Sequence, residues 1–107
     1  MKLDFYEDPG HGWLAVPLEM LDTLGLIDQV SHYSYIRGGL AHLEEDCDYA
    51  LFAQAMRARN VPFTLREHHT DNRSRIRNYD PYSPGRARRN LANIRGQGVD
   101  ERTNSPL

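Results

Sequence analysis

Apolar and polar residues alternate at the start of the chain, switch to helical spacing, and then run through the same change a second time. Leu3-Asp4-Phe5-Tyr6 alternates as a short strand. Asp8-Pro9-Gly10-His11-Gly12 breaks it with a dense turn signal. Trp13-Leu14-Ala15-Val16 is apolar throughout, as a central strand would be. Pro17 suits the first position of a helix, where its missing N–H is no loss. Leu18, Leu21 and Leu24 then fall at helical spacing, and Gly25 is a natural stop because glycine tolerates a left-handed residue.

The second unit repeats the plan. Val30 to Ile36 reads as a strand centred on His32-Tyr33-Ser34-Tyr35, and Gly38-Gly39 matches a two-residue hairpin turn. Leu40-Ala41-His42-Leu43-Glu44 returns as its partner. Asp46 or Asp48 is placed to cap a helix running to about Asn60, with Tyr49, Phe52, Ala55 and Met56 as its apolar stripe. Pro62 ends that helix, and Phe63-Thr64-Leu65-Arg66-Glu67-His68 alternates as a fifth strand. The predicted order is β-β-α-β-β-α-β. This is an α+β fold with a small antiparallel or mixed sheet of about five strands and two helices on one face. Gly12-Trp13-Leu14-Ala15 and Gly39-Leu40-Ala41-His42 occupy equivalent places in the two units. An exposed outer strand in such a sheet invites pairing, which makes a homodimer or higher oligomer an expected partner state.

Beyond Thr70 the pattern fails. The expected organisation is a compact body over 1–70, an extended Arg/Tyr segment over 71–82 packed on it, and a flexible basic tail over 83–107. Arg88 to Arg95 is expected to form a helical turn or two only against a partner, since so short a helix is unstable alone in water.

Charge divides the chain at the same point. Residues 1–70 carry eleven acids against five basic residues, whereas 71–107 carry eight arginines against four acids. An acidic body with an arginine-rich extension points to binding, and the overall charge of −2 excludes a generic polycation. A body of about 70 residues buries only roughly 60% of its unfolded surface and is marginal alone. The single cysteine, Cys47, excludes an internal disulfide and favours a reducing cytoplasm. No apolar run reaches the ~18 residues of a membrane span, and Met1-Lys2-Leu3-Asp4 lacks the features of a signal peptide, so a membrane partner is not expected.

Four groups of residues bear on chemistry. In an extended chain Arg73, Arg75 and Arg77 face one way and form a ridge able to hold phosphate through paired N–H donors. Tyr79 and Tyr82 follow, placed to stack on a base. Arg86, Arg88, Arg89 and Arg95 could add salt-sensitive contacts to nucleic acid. Glu44, Asp46 and Asp48 offer hard oxygen ligands for a cation, although acids at a helix start serve equally to offset the amide dipole there. His32-Tyr33-Ser34 and His68-His69-Thr70 each fit His-x-Ser/Thr, a pattern of two-histidine phosphoesterases, which makes His32 and His68 the weak catalytic candidates. No set of residues commits the chain to a reaction, and no cofactor is expected. Its reading is a non-enzymatic binding protein for a host protein or an anionic ligand, with nucleic-acid binding through 71–95 as the alternative.

Three runs carry a resemblance: Asp8-Pro9-Gly10-His11-Gly12-Trp13-Leu14; Tyr33-Ser34-Tyr35 leading into Leu43-Glu44-Glu45-Asp46-Cys47-Asp48; and Ser74-Arg75-Ile76-Arg77-Asn78-Tyr79. Together, over about residues 5–82, they resemble small proteins of unknown function encoded by bacteriophages and other mobile elements. The resemblance implies action in a bacterial cytoplasm against a host process, by occupying a surface or sequestering a ligand. It brings no catalytic residues.

Overall fold

A computed structural model describes residues 1–98 of the chain. The fold is α+β: a six-stranded mixed sheet with three helices. In chain order the elements are β1 (Lys2–Glu7), β2 (Gly12–Pro17), α1 (Leu18–Thr23), β3 (Tyr35–Arg37), β4 (Leu40–Glu44), α2 (Tyr49–Ala58), β5 (Thr64–His69), β6 (Asp80–Pro81) and α3 (Pro84–Gly98). The sheet runs β5-β1-β2-β4-β3-β6, antiparallel except where β5 lies parallel to β1. Among the described residues no helix is long and apolar enough to cross a membrane.

The register divides the sheet into two unlike faces. Directly paired residues share a face, so Leu3, Phe5, Leu14, Val16, Ile36, Ala41 and Leu43 all point one way. These side chains form one core with Leu18 and Leu21 of α1, Phe52 and Met56 of α2, and Ala87 and Leu91 of α3. The opposite face carries Tyr6, Trp13, Ala15, Tyr35, Arg37, His42 and Glu44. Among the described residues no α-helix packs there. A strap formed by residues 70–79 crosses it instead, including one 3-10 turn, Arg75–Asn78, whose Ile76 is buried.

Local chemistry explains the turns. Gly25 (φ 73°) ends the first helical segment and Gly38 (φ 55°) closes the β3–β4 hairpin, both in the left-handed region expected of glycine. In the turn between β1 and β2 the Asp8 carboxylate accepts hydrogen bonds from the amides of Gly10 and His11, each at 3.0 Å.

Three expectations are corrected. The strand expected over Val30–Ile36 is confined to Tyr35–Arg37, and residues before it are turns. The reason is Asp48. Its carboxylate accepts from the Ser31 amide and hydroxyl and from the Ser34 hydroxyl, while Ser34 Oγ accepts from the Glu44 amide at 2.9 Å. Side-chain bonds to serine thus take the place of ladder bonds. For the same reason Asp48, although it precedes α2, makes no capping bond to it, and Asp46 does not cap it either. Finally, residues 84–98 of the supposed flexible tail form α3. Ser83 starts it by accepting from the Arg86 amide at 3.1 Å, Pro84 follows, and Ala87 and Leu91 are buried. Residues 99–107 of that expected tail lie outside the described residues.

Candidate functional site

The strap is anchored by a clamp between Asp8 and Arg77. Arg77 donates from Nε to Oδ2 at 2.7 Å and from Nη2 to Oδ1 at 2.9 Å, and the Ser74 amide adds a bond to Oδ2. Counting Gly10 and His11, five N–H groups converge on one carboxylate whose side chain is 1% exposed. The Arg77 guanidinium, followed by these amides, holds the Asp8 carboxyl far below the usual carboxylate range. Arg77 also lies over the Trp13 ring, 5.3 Å from its centroid and inside the roughly 6 Å at which a cation is attracted to an aromatic face.

This clamp corrects the expected ridge of arginines. Residues 75–78 form a 3-10 turn, capped by Ser74 Oγ accepting from the Ile76 amide, so Arg75 and Arg77 project roughly 120° apart. Arg77 turns into the protein and is used up. Arg73, which also borders the clamp, and Arg75 remain outside it and meet a third cation that sequence reasoning had not foreseen, Arg37.

A cleft of about 780 Å³ lies there, between strap and sheet. Arg37, Arg73 and Arg75 line it together with Tyr6, His42 and Tyr79. No carboxylate lines it, and none of these three guanidiniums is ion-paired among the described residues. Arg73 donates to Asn78 Oδ1 at 2.9 Å, and Arg37 sits 5.1 Å above the Tyr79 ring. Beneath them His42 is 6% exposed and packs against Tyr79 and Tyr6. Burial lowers its pKa to about 4, so the imidazole is neutral at pH 7. Its Nδ1 has no hydrogen-bond partner among the described residues.

The remaining predicted residues are dispersed. Tyr82 does not face a ligand: it is buried, donates its hydroxyl to the Ile27 carbonyl at 2.7 Å, and has its pKa pushed up to about 12 by burial. On α3, Arg88 pairs with Asp28, Arg95 with Glu19 and Asp22, and Arg86 donates to the Pro81 carbonyl. Arg89 stays exposed. His32 sits in the turn before β3 against Tyr33, whereas His68 sits on β5 stacked on Tyr6 and bonded to Asp4. The two histidines therefore belong to separate settings, and Ser34 of the first triplet is buried on Asp48. Of the acidic trio, Asp48 is occupied by the serines, while Glu44 and Asp46 remain together near His11.

Arg37 and Tyr6 were missed because nothing local marks them. Strand alternation was the available signal: it puts Tyr35, Arg37 and His42 on one face once the hairpin register is known. Comparison with family models, curated proteins and solved structures finds no match to this chain.

Proposed function

We propose that the chain is a non-catalytic binding protein for a small phosphorylated ligand, held in the cleft between the strap and the open sheet face. The observation that carries this reading is the meeting of Arg37, Arg73 and Arg75 in one cleft walled by Tyr6 and Tyr79, with no carboxylate among the described residues to neutralise them. Guanidinium groups grip phosphate oxygens in pairs, and desolvation beside aromatic walls strengthens each contact. The neutral His42 gives the floor a polar atom without adding charge. The resemblance to phage-encoded proteins suggests a role for such binding, namely sequestration of a ligand of host origin. The nucleic-acid alternative draws on the arginines of 71–95, of which Arg77, Arg88 and Arg95 are engaged with the protein's own acids.

The test is titration calorimetry of the full-length protein with adenosine monophosphate and with inorganic phosphate, alongside native mass spectrometry of protein purified gently from bacteria. Binding is expected in the wild type, with a loss of at least tenfold in each of Arg37→Ala, Arg73→Ala and Arg75→Ala, as charge-assisted bonds of about 1.5–3 kcal/mol are removed. Arg89→Ala serves as the exposed control and should change affinity by less than twofold. Equal affinity in all four variants would sink the proposal.

A further inference from the structure

On the other side of the strap lies a second, smaller cleft of about 360 Å³, with the opposite chemistry. His11, Glu44, Asp46 and Cys47 line it, beside Trp13 and Arg77. We propose that this cleft is a binding site for a divalent transition-metal ion, zinc being the best fit, with His11 Nδ1 and the carboxylates of Glu44 and Asp46 as ligands.

The three donor atoms come from two turns that the backbone holds together. The Glu45 amide donates to the Gly12 carbonyl at 3.0 Å, which ties the end of β4 to the β1–β2 turn beside His11. Glu44 itself faces Trp13 across the β2–β4 ladder. As a result the ligand atoms of His11, Glu44 and Asp46 all lie within 4.8 Å of one another. His11 Nδ1 is already 3.5 Å from Glu44 Oε1. Ligands of a tetrahedral zinc, at bonds of about 2.0–2.1 Å, sit roughly 3.3–3.4 Å apart. His11 and Asp46 are exposed and can close the remaining gap by side-chain rotation.

Two further observations call for a ligand. Glu44 is only 6% exposed, yet its oxygens meet the Asp46 amide, at 3.1 Å, the neighbouring Cys47 thiol and the more distant His11, with no guanidinium or ammonium pairing them among the described residues. Buried carboxylates are normally paired or metal-bound, and Arg77, the one guanidinium lining this cleft among the described residues, is committed to Asp8. Trp13, 1% exposed, lines the same cleft with its Nε1–H lacking an acceptor among the described residues. The donor set selects the ion: one imidazole with two carboxylates, and the Cys47 thiol on the same wall, suits zinc over calcium or magnesium, which prefer oxygen alone. The inference is independent of the anion cleft.

Untagged, chelator-treated full-length protein titrated with zinc chloride should take up one equivalent and melt at a higher temperature. His11→Ala and Asp46→Asn, at exposed positions that leave the core intact, should each weaken binding at least tenfold, since even indirect supports of a metal site are worth that much. His69→Ala removes a histidine that pairs with Asp71 and Glu7 elsewhere, and should leave binding unchanged. Cobalt chloride should give visible d–d bands in wild type that His11→Ala abolishes. Absence of binding up to millimolar zinc, or affinity unchanged in both ligand variants, would overturn the assignment, as would loss of the equivalent in His69→Ala.

Discussion

At the scale of single residues, the Asp8–Arg77 clamp sets a buried carboxylate against the guanidinium that neutralises it. Removing one member strands a buried charge, so Arg77→Ala should lower stability by about 3–5 kcal/mol in urea unfolding. Asp8→Asn should also destabilise at neutral pH, and it should flatten the acid limb of the stability curve. The Asp8 pKa is depressed on folding, so its contribution is fully present above the ordinary value of 3.8 and lost as pH falls below it. His42 acts in a different window. Its folded pKa of about 4 lies below the ordinary 6.5, so between these values the unfolded chain binds the extra proton. Stability should therefore fall as pH drops from 6.5 to 4, and His42→Phe should remove that slope in a pH series of denaturation curves.

At the scale of elements, α3 tests how far packing overrides sequence propensity. Leu91 is 3% exposed, and Leu91→Ala should lower stability by about 2–4 kcal/mol in urea unfolding. Arg88→Ala, which removes only the exposed pair with Asp28, should leave the urea midpoint nearly unchanged. The same contrast explains what could be read in advance. Strands β1, β2, β4 and β5 and helices α1 and α2 follow from periodicity and glycine placement, because their apolar positions repeat locally. Helix α3 does not: its apolar stripe is as thin as Ala87, Leu91 and the half-buried Ile94, and it holds its shape by docking on a core the linear pattern does not display. The turn before β3 was illegible for another reason. Its shape depends on Asp48 reaching back to Ser31, a partner 17 residues away. Of the candidate site, the arginines and Tyr79 were visible as chemistry. Their sorting, with Arg77 turned inward and Arg37 brought alongside, depends on the 3-10 turn and the hairpin register.

At the scale of the whole molecule, all three helices share one sheet face, which leaves the other to a ten-residue strap and the two clefts of opposite charge beside it. The edges of the sheet are guarded. On one side β5 presents Arg66, Glu67, His68 and His69; on the other β6 is two residues long and ends in Pro81. Charged or proline-blunted edges disfavour continuation of the sheet through these two strands. The clamp has a further bearing on how the chain reaches this state. Strand β1 is completed only by β5, and Asp8 meets Arg77 across 69 residues of sequence. Contacts so remote along the chain form slowly, because the loop between them must close before they yield any stabilisation. During synthesis the first strands would leave the ribosome long before their partners. Trp13 would wait uncovered until Arg77 arrived, so folding of this protein finishes at its C-terminal third.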